Sequence, residues 1–150
     1  MHMRTVFVFT ALVLFSFALR AQEVSVYSVK NGKGDLITVS ADTLNMGEIY
    51  LDDLSSEHGV LLINLTNSGK KPLLIRNVTG CCGTNIKTWS KAPVLPGKQS
   101  EIRVEFRIEP KPQRISRTVT LESNALGKPI IKLHIVGLVM QRRQANELVL

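Results

Sequence analysis

Two adjacent cysteines are the residues of this sequence best suited to chemistry. Cys81 and Cys82 are the only cysteines of the protein, and Gly80 and Gly83 flank them. Glycines on both sides indicate a bent backbone that other chain segments approach closely. A pair of thiols can form a disulfide, bind a soft metal such as copper, or take part in redox exchange. The pair can equally be structural or incidental, and the sequence leaves these alternatives open.

The spacing of the two cysteines limits this chemistry. Consecutive Cα atoms lie about 3.8 Å apart across a trans peptide, whereas a disulfide usually joins Cα atoms roughly 4.4 to 6.8 Å apart. A disulfide between Cys81 and Cys82 would therefore be strained and easily reduced, and an intermolecular disulfide is the alternative. Adjacent residues of an extended strand point to opposite faces. A metal site that uses both sulfurs therefore requires a turn at Gly80 or Gly83.

No arrangement of residues indicates an enzyme. The sequence contains no Gly-x-Ser-x-Gly elbow, no His-Glu-x-x-His motif and no phosphate-binding loop. Asp52 and Asp53 are neighbouring carboxylates, but they fall in a polar connector, where solvation is the simpler explanation. Nothing in the spacing of His58 and His134 places them near the thiols, and His134 has the position of an exposed strand residue. We therefore predict a non-enzymatic protein with no catalytic residues and no cofactor.

The segment from Val60 to Thr84 must position the cysteines, and we predict that it forms a hairpin. Residues 60–65 are an apolar run that fits a strand covered on both faces. Asn67-Ser68-Gly69 then permits a chain reversal. Pro72 suits the first residue of a second strand, because a proline there removes no hydrogen bond of the ladder. This second strand leads directly to the cysteines.

The rest of the chain also has the pattern of short strands and turns. Residues 100–108 alternate between apolar side chains and charged side chains of alternating sign, as a strand with one buried face does. Pro96-Gly97 suits the centre of a type II turn, whereas residues 42–49 are less regular. Further strands are predicted at residues 24–29, 36–40, 116–122 and 130–140. No helix is indicated between residues 22 and 140, so we predict an all-β antiparallel sandwich.

The N-terminal residues have the pattern of a secretory signal. A short basic start is followed by an apolar run at residues 5–19, and Ala21 offers a small residue before a cleavage site. The apolar run is shorter than the roughly 20 residues that cross a bilayer. We predict a signal peptide at 1–21, N-terminal strands at 22–41, the main domain at 42–140 and a tail at 141–150. The mature protein is then secreted to the periplasm or cell surface, without a membrane span.

Composition argues against nucleic acid as a partner. The predicted signal contains two of the 19 basic residues and none of the 12 acidic residues, so the mature chain keeps only a modest basic excess. Its densest basic patch is Lys111, Arg114 and Arg117, which we predict to lie in a loop. Four of the five phenylalanines lie in the predicted signal. The remaining aromatic residues are too few for the stacking platforms of single-stranded nucleic-acid binders.

Several motifs resemble the domain-of-unknown-function family 1573 (DUF1573). The resemblance covers residues 42–139 and rests on the run 67–78, the cysteine corner, Trp89, Pro93, Pro96-Gly97, Ser123-Asn124 and a closing strand that ends in Gly137. The family is common in secreted proteins of Bacteroidetes-type bacteria and is similar to the immunoglobulin-like domains of major sperm protein and of the ASPM, SPD-2 and Hydin group. The resemblance implies an immunoglobulin-like sandwich of about seven to nine strands and a periplasmic or surface location, with no established activity.

The cysteine corner departs from the family pattern. The family usually has Ser-Cys-Gly-Cys-Thr, whereas this chain has Gly80-Cys81-Cys82-Gly83-Thr84. Cys81 therefore matches the first cysteine of the family, and Gly83 occupies the position of the second.

Two functional hypotheses follow. The first is a secreted, non-enzymatic binding or structural module of the bacterial cell envelope, which contacts another envelope protein through exposed sheet edges. The alternative is a thiol-based envelope protein that binds a soft metal (copper) or acts in redox through Cys81 and Cys82. Thiol titration combined with metal analysis distinguishes the two.

Overall fold

The computed structural model describes residues 24–142. The predicted signal peptide (1–21) and all but the first two residues of the predicted tail (141–150) lie outside the described residues. Within the described part, the chain forms nine strands and one short 3₁₀ helix at Ser56–Gly59. The strands are β1 (Val24–Asn31), β2 (Leu36–Ser40), β3 (Thr43–Tyr50), β4 (Val60–Asn67), β5 (Ile75–Gly80), β6 (Thr84–Trp89), β7 (Gln99–Phe106), β8 (Gln113–Ser123) and β9 (Ile130–Met140).

The nine strands form one sheet that folds over on itself. Their order is β5-β8-β9-β3-β2-β1-β4-β7-β6. Strand β2 pairs with β1 on one side and β3 on the other, and so joins the two halves of the sheet. Inward-facing residues from both halves, such as Ile63, Val104, Leu133 and Ile135, belong to one buried cluster. The prediction of an all-β, sandwich-like fold is confirmed, and no helix in residues 24–142 is long and apolar enough to cross a membrane.

One strand pairing differs from the antiparallel prediction. Strands β3 and β9 run parallel, with Leu44 opposite Ile135 and Ile49 opposite Val139. All other pairings of named strands in the described residues are antiparallel. A residue pattern reports which face of a strand is buried but not the direction of its neighbour, so the sequence could not reveal this pairing.

The predicted hairpin at residues 60–84 is not formed. Strand β4 pairs with β1 and β7, whereas β5 pairs with β8 in the other half of the sheet. The fully buried side chain of Asn67 redirects the chain, because its Nδ2 donates to the carbonyl oxygens of Lys71 and Val94, each at 2.8 Å. Its Oδ1 accepts the N–H of Gly69 at 3.0 Å. The segment between the strands therefore crosses from one half of the sheet to the other.

Strand β4 also differs from the prediction in its burial. Leu61, Ile63 and Leu65 are buried, but the residues between them are only partly buried. The apolar run therefore has one fully covered face, not two. Its outer face carries Asn64, whose Nδ2 donates to Ser28 Oγ on the neighbouring strand at 3.3 Å.

Candidate functional site

The two cysteines lie in the turn that carries the chain from β5 to β6, between the halves of the sheet. The N–H of Thr84 donates to the carbonyl oxygen of Cys81 at 3.1 Å. The two central residues, Cys82 and Gly83, have φ angles of 58° and 77°. Positive φ at both central positions is the geometry of a type I′ turn. A side chain in this region costs about 1–2 kcal/mol, so the surrounding fold must hold Cys82 there.

The turn brings both sulfur atoms to one place on the surface. The Sγ atoms of Cys81 and Cys82 are 3.1 Å apart, and both cysteines are exposed free thiols. On an extended strand these side chains would diverge. A site that uses both sulfurs requires a turn at Gly80 or Gly83, and the turn around Gly83 meets this requirement.

Strand β8 supports the turn from the side of Cys81. The Cys81 N–H donates to the carbonyl oxygen of Thr118 at 2.9 Å, which extends the ladder between β5 and β8. Thr118 lies opposite His134 in the β8–β9 register, and its Oγ1 is 3.3 Å from His134 Nδ1. His134 is exposed on its strand, as predicted. The sheet register nevertheless brings it next to the neighbour of Cys81, which the spacing along the chain did not reveal.

The two thiols have opposite shifts in pKa. The hydrogen bond from the Cys82 thiol is the largest effect and lowers the pKa of Cys81. Burial is the next largest and opposes it, and hydrogen bonds from Thr118 and the positive charge of Arg117 lower the pKa further by smaller amounts. The same hydrogen bond, with the charge of Cys81, raises the pKa of Cys82. Ionisation therefore begins at Cys81, while Cys82 keeps its proton and donates it to the neighbouring sulfur.

Arg117 supplies the positive charge beside the thiols. It lies in β8, as does Arg114, so the prediction that the basic patch lies in a loop is wrong for these two residues. Arg117 is partly buried, its Nη1 donates to the carbonyl oxygen of Ser116 at 3.0 Å, and its guanidinium carbon is 5.8 Å from the centre of the Phe106 ring. Because Phe106 belongs to the other half of the sheet, Arg117 spans the gap between the halves near the turn.

The other candidate residues lie in local structures of their own. His58 is buried in the 3₁₀ helix, where its Nδ1 accepts the N–H of Ser55 at 3.1 Å. Asp52 and Asp53 are exposed and both form ion pairs with Arg142. Across residues 24–142, no three side chains of His, Cys, Asp or Glu converge as ligands of a metal ion.

The other motif residues that carried the family resemblance hold loops together. Asn124 Oδ1 accepts the N–H of Leu74 at 2.8 Å, and its Nδ2 donates to the carbonyl oxygen of Pro72 at 3.2 Å. The predicted turn at Pro96-Gly97 is present: Gly97 has a φ of 73°, and the Lys98 N–H donates to the carbonyl oxygen of Leu95 at 3.0 Å. These residues have structural roles in loops and turns. The cysteine corner is therefore the part of the motif whose side chains could react.

The comparisons with known proteins concern family and fold. The family described as "Protein of unknown function (DUF1573)" matches residues 37–139. No curated protein matches the chain. Among solved structures, a protein of unknown function from Porphyromonas gingivalis W83 is similar, with a TM-score of 0.51 and 19% sequence identity over 65% of this chain and 44% of that one. This chain thus spans less than half of that protein, and at this identity the likeness concerns the fold alone.

Two further solved structures are similar over part of the chain. The secreted serine protease VesC from Vibrio cholerae has a TM-score of 0.49 and 10% identity, over 63% of this chain and 21% of that one. The N-terminal domain of PorA has a TM-score of 0.35 and 14% identity, over 78% of this chain and 97% of that one.

Proposed function

The chain belongs to the DUF1573 family of proteins of unknown function, and from this premise we propose that it is a secreted, non-enzymatic binding or structural module of the bacterial cell envelope. The immunoglobulin-like character of the sandwich, an origin in Bacteroidetes-type bacteria and a periplasmic or surface location are parts of this proposal. The partner is another envelope protein.

An exposed apolar surface at one end of the sandwich supports the proposal. The leucine patch consists of Leu74, Leu95 and Leu126, whose exposed fractions are 37%, 55% and 75%. The residues before the first two, Leu73 and Val94, are buried and exchange backbone hydrogen bonds at 2.9 and 2.8 Å. Leu74 and Leu95 therefore both face away from the core. Large exposed apolar residues that lie together are typical of protein contacts.

The loops under the leucine patch are tied to one another. Leu73, Val94 and Ala125 form a second buried cluster, and the Asn124 N–H donates to the carbonyl oxygen of Leu74 at 3.2 Å. A surface that is already ordered loses little conformational entropy on binding, which favours its use as a contact site. Because exposed Lys70 and Lys98 lie beside these loops, we expect a partner with an apolar contact surface and an acidic rim.

The edge strands are less suited to the contact than the sequence suggested. Strands β5 and β6 are the two ends of the sheet. They are joined at one end by the turn at Cys81–Thr84 and at the other by the bridge between Leu73 and Val94. Only a short length of edge lies between these links, and short edges resist the addition of a partner strand. We therefore place the contact at the leucine patch.

Site-specific photo-crosslinking in intact cells tests this function. A photoreactive residue is placed at Leu95 or Leu126, and the control carries it at Leu36, which is 72% exposed. Leu36 pairs with Lys30 near the end of β1, whereas the start of β1 pairs with Asn67 beside the patch. We expect one adduct of the same mass from positions 95 and 126 and none from position 36. No adduct, or the same adducts from all three positions, would contradict the proposal.

A further inference from the structure

We propose that the turn at Cys81 and Cys82 is a thiol–disulfide exchange site, in which Cys81 attacks an incoming disulfide and Cys82 resolves the mixed disulfide that forms. This reaction goes beyond the non-enzymatic binding proposed above: it adds a redox site to the same protein, separate from the contact at the leucine patch. Its substrate class is an accessible disulfide, on a small molecule or on an exposed protein loop.

The position of the sulfurs makes the reaction feasible. Both cysteines are exposed, and their Sγ atoms are 3.1 Å apart. A disulfide can therefore approach Cys81 from solvent, and the second sulfur is already within reach of the first. The I′ turn with positive φ at Cys82 keeps the pair in this arrangement without a contribution from the substrate.

The two sulfurs have different surroundings, which assigns their roles. Cys81 is fixed by its backbone hydrogen bond to Thr118, its sulfur is 3.1 Å from that of Cys82, and hydrogen bonding by Cys82 and Thr118 lowers the pKa of its thiol. Cys82 lies at the centre of the turn and, when Cys81 is ionised, donates its proton to the Cys81 thiolate. The attacking sulfur needs a populated thiolate, whereas the resolving sulfur must wait until the first step is complete.

His134 extends the hydrogen-bonded chain that supports the Cys81 thiolate. Its Nδ1 is 3.3 Å from Thr118 Oγ1. With a proton on Nδ1, His134 donates to the threonine oxygen, which leaves the threonine hydroxyl able to donate to the Cys81 sulfur and so to lower the pKa of Cys81. Thr118 is thus a positioning residue that acts through Cys81.

The reaction balances as two exchanges with a substrate R–S–S–R. In the first, the Cys81 thiolate forms a bond to one substrate sulfur, the substrate S–S bond breaks, and R–S⁻ leaves with the electron pair. In the second, Cys82 gives up its proton, and its sulfur bonds to Cys81 Sγ and displaces the second R–S⁻. The two thiolates that leave take up the two protons of the cysteines. The cysteine pair is oxidised to a disulfide, and the substrate is reduced to two molecules of R–SH.

The product can be returned to the dithiol state. Adjacent Cα atoms about 3.8 Å apart lie closer together than the roughly 4.4 to 6.8 Å of ordinary disulfides. A disulfide between Cys81 and Cys82 is therefore readily attacked by a second thiol, which suits a site that passes oxidation from one partner to another.

The aromatic disulfide 5,5′-dithiobis(2-nitrobenzoate) tests the order of attack with the purified, reduced protein. We expect the wild type to release two coloured thiolates per chain and to retain no label, with a mass lower by two hydrogen atoms. C82S should release one coloured thiolate and retain the other on Cys81. C81S should react more slowly, at Cys82. A wild-type protein that keeps a label, or single variants that react equally fast, would overturn the proposal.

A pair of substitutions at Thr118 tests its positioning role. T118V removes the hydroxyl with little change in shape, and T118S keeps it. Loss of the hydroxyl removes one of the hydrogen bonds that lower the pKa of Cys81, so at a pH below that pKa the thiolate fraction falls. The accompanying gain in nucleophilicity offsets only part of this loss, so the first step slows. We expect this loss in T118V and a rate close to wild type in T118S. Equal rates in wild type and T118V, or equal losses in both variants, would exclude this role for the hydroxyl. Neither test depends on the leucine patch, so a negative result here would leave the proposed binding function untouched.

Discussion

Gly80 lies so close to Thr84 that a Cβ atom on Gly80 would stand 2.4 Å from the carbonyl oxygen of Thr84 and 2.8 Å from its Cβ. The last residue of β5 thus touches the first residue of β6, and the turn between them has no room to relax. The position of both sulfurs depends on this contact, because the Thr84 N–H closes the turn on the carbonyl oxygen of Cys81.

We therefore predict that Gly80→Ala destabilises the protein and displaces the turn. The added methyl group meets backbone, which cannot move as a flexible side chain does, so a loss of about 1–3 kcal/mol in the free energy of unfolding is expected. Chemical denaturation measures the loss. The matched control is Thr79→Ala, at the exposed preceding residue of the same strand, which should change stability by less than about 0.5 kcal/mol. Equal effects of the two substitutions would contradict the close contact.

Replacement of Cys82 by glycine should stabilise the fold. Glycine avoids the strain of about 1–2 kcal/mol that a side chain has at a φ of 58°. Against this, the greater conformational entropy of glycine in the unfolded chain costs about 0.5–1 kcal/mol of stability. The net gain is between about 0 and 1.5 kcal/mol, measured as a higher denaturation midpoint. Cys82→Ser is the control, since it removes the sulfur and keeps the strained backbone, and it should bring no gain. A Cys82→Gly protein less stable than Cys82→Ser would show that the turn is not strained.

The sequence predicts those features of the fold that depend on residues near one another in the chain. Strand β7 is an example, because its alternation of apolar and polar residues matches the alternation of buried and exposed side chains in the structure. Strand β3 was missed because a bulge at Met46 and Gly47 shifts its register, so that Leu44 and Ile49 both reach the core although they are five residues apart. The odd spacing hides the period of two that marks a strand.

The candidate site depends on both kinds of information. The adjacent cysteines and their flanking glycines are visible in the sequence and led to the turn. The neighbours of Cys81 are not, because Thr118 and His134 reach it only through the pairing of β5, β8 and β9. The wrong hairpin at residues 60–84 has the same origin, since the amide of Asn67 bonds a carbonyl 27 residues away.

Asn67 should be among the most sensitive polar residues of the fold. Its removal deletes three hydrogen bonds, to the carbonyl oxygens of Lys71 and Val94 and from the N–H of Gly69, at about 0.5–1.5 kcal/mol each, so Asn67→Ala should destabilise by about 1.5–4.5 kcal/mol. Asn64→Ala is the control, because Asn64 is only partly buried and donates to one hydroxyl, on Ser28. Its loss should be about 1 kcal/mol or less. Denaturation of both variants measures the difference, and similar values would refute the role given to Asn67.

The reactivity of Cys81 should depend on pH in a way that reports on Cys82. The pKa of Cys81 is lowered chiefly by the hydrogen bond from the Cys82 thiol. In Cys82→Ala this donor is absent, so the pKa of Cys81 moves up towards its ordinary value and the thiolate appears at higher pH. Alkylation rates with iodoacetamide, followed by mass spectrometry of the peptide that contains Cys81, should therefore have an inflection at higher pH in Cys82→Ala than in wild type. Cys82→Ser keeps a donor and should lie between them; an unchanged inflection in Cys82→Ala would contradict the assignment.

The leucine patch leads to a prediction about affinity once a crosslinked partner has been purified. Burial of a leucine side chain contributes about 1.5–3 kcal/mol, and 1.4 kcal/mol corresponds to a tenfold change in Kd, so Leu126→Asp should weaken binding about 10- to 100-fold or more. Leu126 is 75% exposed, so the substitution should leave the denaturation midpoint of the free protein nearly unchanged. Leu36→Asp introduces the same charge at an exposed leucine outside the leucine patch and should bind as wild type does. If Leu36→Asp weakens the complex as well, the loss of affinity is a general effect of the added negative charge. The acidic rim of the partner would then be repelled by a carboxylate at either position, and the result would contradict a contact at the leucine patch.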